Sequence, residues 1–196
     1  MEDVAALRGI SIPSAHVLCN RYVRRGLFIR VKRNFYILER NWERYGRRDF
    51  FRVCNFLQVP SYVSLMTALC FHGVSTQVQR NWYESVSARK SIVLEMRGIS
   101  FRYHKVRPQI YGGFVQDEGV FIATPEKAFL DAVYLNALGR YPLDWASLDL
   151  GRLDRAALSV LMGPYPERVK TKARDALAEY ERVEGTHAGS DRTGTL

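Results

Sequence analysis

The chain has 196 residues, 47% of them apolar, and a net charge of +9. That length holds one domain of average size plus a small one, and that apolar fraction suffices for a sizeable core. No run of about 18 apolar residues could span a bilayer and no signal peptide opens the sequence, so the expected protein is cytoplasmic, with no membrane partner.

The charge is uneven. Residues 1–48 hold eleven Lys/Arg against four Asp/Glu, a net +7, whereas residues 49–196 hold eighteen against sixteen. A basic head on a near-neutral body is the footprint of nucleic-acid binding joined to another task. A membrane-surface patch is the weaker cause, because the basic segment is not one long amphipathic helix. Cys19, Cys54 and Cys70 are far apart, odd in number and form no C-x-x-C pair. They read as reduced, packed thiols, not as a disulfide or zinc framework.

In chain order, Val4 to Leu7 reads as a short helix and Gly9 as a turn. Ser11 then caps a helix with Pro13 in its first turn and Gly26 as its left-handed stop. Ala15, Cys19, Tyr22 and Val23 form its core-facing stripe. Ser14, Val17, Asn20, Arg21 and Arg24 are its candidate DNA-contacting residues, Arg and Asn being the side chains that make bidentate contacts to base edges. The bland alternative is a solvated basic face. Residues 27–38 alternate like a hairpin around Lys32-Arg33-Asn34. Arg30, Lys32 and Arg33 would lie along phosphates, as a wing does. Residues 1–40 therefore read as a winged helix-turn-helix. A complete one has a further helix ahead, so either that helix is missing or the true start lies upstream of Met1.

Residues 41–58 read as a connector running into a helix at 50–57. Pro60 and Ser61 are expected to open a helix over 62–71, capped by Ser61 and closed by Gly73. Short strands are expected at 83–88, 92–96, 99–106, 110–115 and 120–123, punctuated by glycine turns. Thr124 and Pro125 start a helix running to Gly139. Two more are expected near 155–162 and 167–183. The tail, 184–196, is rich in Gly, Ser and Thr and is expected to be disordered. The fold class is α+β: an N-terminal winged helix-turn-helix, then a mixed sheet flanked by helices over 59–183.

No catalytic arrangement emerges. His16, His72, His104 and His187 lack metal-ligand spacing. Asp117 and Glu118 read as turn residues, and Glu126 as an acid favoured by a helix N-terminus. Asp131, five residues on, does not share the face of Glu126. Glu84 and Lys90 have the wrong spacing for a nuclease, and Ser61 and Ser64 have no neighbouring His. Gly112-Gly113 suggests a bulge or a close backbone approach. No phosphate-loop or dinucleotide motif is present. No enzyme, metal or cofactor is expected; a DNA-directed enzyme such as a nuclease is the remote alternative.

Several blocks in residues 60–135 carry a resemblance. They are Pro60-Ser61-Tyr62-Val63-Ser64-Leu65 with Ala68-Leu69 and His72-Gly73, then Phe101-Arg102-Tyr103. Ile122-Ala123-Thr124-Pro125-Glu126-Lys127-Ala128 follows, with Leu130-Asp131 and Tyr134-Leu135. With the wing segment, they resemble the AbiEi family of abortive-infection antitoxins and predicted regulators of viral defence, over about residues 4–180. The resemblance implies a winged helix that represses its own operon by binding double-stranded DNA at inverted repeats. It implies a second domain that counters a nucleotidyltransferase toxin without a stable complex, as in type IV systems. Ser61, Tyr62, Ser64, Arg102, Glu126 and Lys127 are then the candidate antitoxin-motif residues. For Glu126 and Lys127 the residue-level reading is helix capping with a local ion pair; the functional one is a partner-facing site. An orphan DNA-binding regulator is the alternative function.

Overall fold

The computed structural model describes residues 1–77 and 79–190, with backbone alone for 185–190, a stretch that includes His187. The chain is mixed α+β and divides by internal contacts into two units, residues 1–53 and 54–196. The division falls inside a helix, within the stretch read as a connector.

In the first unit, α1 (Glu2–Arg8) ends at Gly9, whose φ of 61° is left-handed. Three residues later α2 (Ile12–Arg24) begins. The Ser11 hydroxyl accepts the Ser14 N–H at 3.3 Å, and Pro13 sits in the first turn, as expected. Past the far end, Gly26 turns left-handed at φ 69°, while Leu27 N–H reaches back to Tyr22 O at 2.9 Å. Bonds of this kind satisfy orphan carbonyls. Ala15 and Cys19 are wholly buried, and Tyr22 and Val23 half-buried. β1 (Phe28–Lys32) and β2 (Phe35–Leu38) pair antiparallel as the expected hairpin, turning at Asn34 with φ 66°. Phe28 packs edge-on to Tyr22 at 5.1 Å, joining hairpin to helix. After α3 (Glu39–Trp42), Trp42 and Tyr45 close around Phe50 of α4 (Arg47–Leu57).

The second unit is built on a six-stranded sheet, ordered β5-β6-β4-β3-β8-β7. Its strands are β3 (Ser61–Val63), β4 (Trp82–Ser87), β5 (Ile92–Met96), β6 (Ile99–Lys105), β7 (Phe114–Asp117) and β8 (Val120–Ala123). β3 runs parallel to β8 and β4 parallel to β6; the other pairs are antiparallel. α5 (Leu65–Phe71) packs on β4 and on α6 (Pro125–Ala137), which also meets α7 (Arg155–Leu161) and α8 (Glu167–Ser190). Every residue of α6 from Glu126 to Tyr134 is buried, making it the central helix of the unit. Thr124 caps it, accepting the Lys127 N–H at 3.2 Å, as its sequence requires.

Three expectations are corrected. Residues 61–63 form a strand, not the first turn of a helix. Both edges of β3 find partners, and all three of its side chains are buried, so ladder bonds and packing outweigh the helix-start pattern. The helix starts at Leu65, whose left-handed φ of 55° turns the chain out of the strand. Pro108–Ile110 is a 3-10 turn, and the strand expected over 110–115 is displaced to Phe114–Asp117, beyond the two glycines. The last helix continues to Ser190, into the segment expected to be disordered. Extending an existing helix costs far less than nucleating one. Residues 191–196 lie outside the described residues.

Candidate functional site

The eight residues proposed from sequence to contact DNA are all exposed. Ser14, Val17, Asn20, Arg21 and Arg24 lie on α2, and Arg30, Lys32 and Arg33 on the hairpin. Val17 is 59% exposed, as single apolar side chains on protein surfaces commonly are. Ser14 also belongs to the helix cap, its hydroxyl 2.9 Å from that of Ser11. An open groove of about 680 Å³ runs between α1 and α2, bordered by Arg8, Val17 and Arg21.

The antitoxin-motif candidates behave differently. Ser61, Tyr62, Ser64, Glu126 and Lys127 are buried, and only Arg102 is exposed. Tyr62 and Ser64, flanking Val63 at the end of β3, donate their hydroxyls to Asp131 Oδ2 at 2.9 and 2.8 Å. The Ser64 hydroxyl makes no capping bond to α5; its proton is directed to Asp131 instead. Lys127 Nζ donates to Asp131 Oδ1 at 2.5 Å, to Ile110 O at 2.7 Å and to the Tyr165 hydroxyl at 2.6 Å. The Tyr165 hydroxyl in turn donates to Asp131 Oδ1 at 3.1 Å. All three ammonium protons and all four carboxylate lone-pair positions are therefore used. Burial, then the Asp131 charge, pushes the pKa of Tyr62 and of Tyr165 well above the usual tyrosine value. Both remain donors at neutral pH.

The first and last motif blocks meet on one carboxylate. Tyr62, Ser64, Lys127 and Asp131 thereby build the interior of the second unit. Lys127 pairs with Asp131, not with Glu126. Glu126 Oε1 instead accepts the backbone N–H of Asp154, which caps α7. Ser61 is not a helix cap; it donates to Gln58 O at 2.5 Å. His72 ends α5, and its ring Nε2 lies 2.9 Å from Ala123 O. Ser64 is fully buried, with its hydroxyl donated to the Asp131 carboxylate. Arg102 holds its guanidinium 5.4 Å from the centre of the Trp82 ring.

Sequence reasoning missed Asp131 as the hub. Its spacing of five from Glu126 hides it, while the i,i+4 spacing from Lys127 is the signal that points to it. Tyr165, Glu84 and Tyr141 carry no local signal.

Among the described residues no group of His, Cys, Asp and Glu could hold a metal ion, and no helix is long and apolar enough to cross a membrane. Comparison with protein-family models and with curated proteins returns no match.

Proposed function

We propose that the protein is a DNA-binding transcriptional regulator whose first unit is a winged helix-turn-helix. The observation that carries this reading is the order helix, glycine turn, helix, basic hairpin, with all eight candidate side chains exposed. α2 would enter the major groove with Asn20, Arg21 and Arg24 toward base edges, and Lys32 and Arg33 would contact phosphates. The net +7 of the first 48 residues supports the same reading. The resemblance to AbiEi antitoxins extends it: the natural operator is the protein's own promoter, and the second unit counters a nucleotidyltransferase toxin. That extension rests on the resemblance alone.

A mobility-shift titration on the promoter tests the first part. Arg21→Ala or Arg24→Ala should weaken binding by roughly 1–3 kcal/mol and relax sequence preference where the side chain reads a base. Lys32→Ala with Arg33→Ala should weaken binding to any duplex and flatten the log–log salt slope by about 0.9 for each phosphate no longer neutralised. Wild-type behaviour of all four substitutions sinks the assignment. Co-expression with a nucleotidyltransferase encoded beside the gene tests the second part: restored growth supports an antitoxin, and continued arrest leaves a regulator only.

A further inference from the structure

β4 and β6 run parallel in register, Glu84 beside Arg102 and Val86 beside His104. Because side chains alternate along a strand, Glu84, Arg102 and His104 share one face of the sheet. Tyr103 points the other way, its hydroxyl bonded to Cys54 O. The Glu84 face, Met66 of α5 and the loop after α6 enclose a pocket of about 370 Å³. That is within the size range of small-molecule sites.

The floor of the pocket is polar and buried. Glu84 is 3% exposed, and its Oε2 accepts from the Tyr141 hydroxyl at 2.8 Å and from Gln79 Nε2 at 3.1 Å, both neutral donors. Burial raises its pKa, while these two bonds, the nearby Arg102 charge and a hydrogen bond from the Met66 backbone pull it back. Beside it, His104 Nε2 is buried with no hydrogen-bond partner, its ring edge-on to Tyr141 at 5.6 Å. Burial, with the Arg102 charge, lowers the pKa of His104, so its ring is neutral at neutral pH. A buried carboxylate held by neutral donors and, among the described residues, an imidazole nitrogen without a partner both cost stability that apolar residues would not. Groups of this kind in a concave pocket mark binding sites.

The mouth carries two arginines and one carboxylate, Asp144, whose Oδ2 accepts from Gln77 Nε2 at 2.7 Å. Arg102 is exposed and lies over the Trp82 indole, and Arg140 is exposed on the loop opposite. A guanidinium laid on an aromatic ring both stacks and binds phosphate bidentately.

We propose that this pocket binds a mononucleotide, its base turned inward so that ring N–H groups meet Glu84 and His104, its phosphate held by Arg102 and Arg140. The deep acceptor calls for a ligand with N–H donors, and the two arginines of the mouth for an anion on the same molecule. Free phosphate would satisfy only the arginines, and a nucleoside only the floor. This site is independent of the DNA-binding reading.

Titration calorimetry on the full chain tests it, using AMP, GMP, CMP and UMP, the matching nucleosides, and inorganic phosphate. At least one monophosphate should bind with Kd below about 1 mM, and its nucleoside and phosphate alone should bind about tenfold more weakly or worse. Arg102→Ala and Arg140→Ala alter exposed side chains and should each weaken binding about tenfold. Glu84→Gln should change which base is preferred; should circular dichroism show it unfolded, the two arginine variants decide. Arg21→Ala with Arg24→Ala should bind as wild type. The proposal is overturned if no monophosphate binds below about 1 mM. It is equally overturned if both Arg102→Ala and Arg140→Ala bind normally, or if the α2 variant loses binding.

Discussion

Lys127 and Asp131 are 2% and 0% exposed, yet each finds a partner for every proton or lone pair it carries. Bringing two charges out of water costs several kcal/mol per ion, and mutual attraction repays this only when the remaining groups are satisfied. The network meets that condition, so removing one member leaves the other charge stranded. Lys127→Ala and Asp131→Ala should each lower unfolding stability by about 3–5 kcal/mol, and the double variant should cost clearly less than the sum. Urea denaturation of the three variants measures this. Additive losses, or single losses below about 1 kcal/mol, would show the pair uncoupled. From sequence, the Lys127–Asp131 spacing is readable, because an i,i+4 pair is a local fact. Tyr62, Ser64 and Tyr165 are not, because they lie 69, 67 and 34 residues from Asp131 in the chain.

At the scale of elements, what was legible had local chemistry behind it. Ser11 and Thr124 cap the helices they were expected to cap, and the hairpin follows its own alternation. β3 was illegible because three residues carry too little periodicity and its stability comes from β4 and β8. Gly113 lies between these cases. Its strand setting suggests a close backbone approach, and the structure gives the reason. Its φ is +72°, and an added Cβ would stand 3.0 Å from Lys127 Cδ and 3.1 Å from Leu161 Cδ2. Gly119 has a similar φ of +78° with nothing within 4 Å of such a Cβ. Gly119→Ala should therefore cost only the left-handed strain, about 1–2 kcal/mol. Gly113→Ala should cost more, because it also presses on the aliphatic stem of Lys127. Thermal melts of the two variants, compared directly, decide this; equal losses would mean the neighbours yield without cost.

For the whole molecule, two units imply two cores. α4 carries the buried residues Phe50, Phe51, Val53, Cys54 and Leu57, and the division between the units falls between Val53 and Cys54. A fragment meant to test the independence of the second unit must therefore keep α4 intact and begin at Arg47. Residues 47–196 should melt cooperatively without the basic head, and Lys127→Ala should lower that transition much as it lowers the one of the full chain. A fragment that melts without cooperativity would show that the first unit is needed for folding. The place where the two units divide, inside a helix, could not be read from composition.

The sheet order also bears on how the protein is made. A ribosome delivers the chain from its amino end, and the first unit is complete once 53 residues have emerged. Tyr62 and Ser64 emerge soon after, but β8 begins only at Val120 and Asp131 lies further on. At about 5–20 residues per second, the nascent strand waits on the order of several seconds for its second partner, with an unpaired edge and a hydroxyl pair destined for a carboxylate not yet translated. That interval, and not the finished fold, is where chaperone dependence should concentrate.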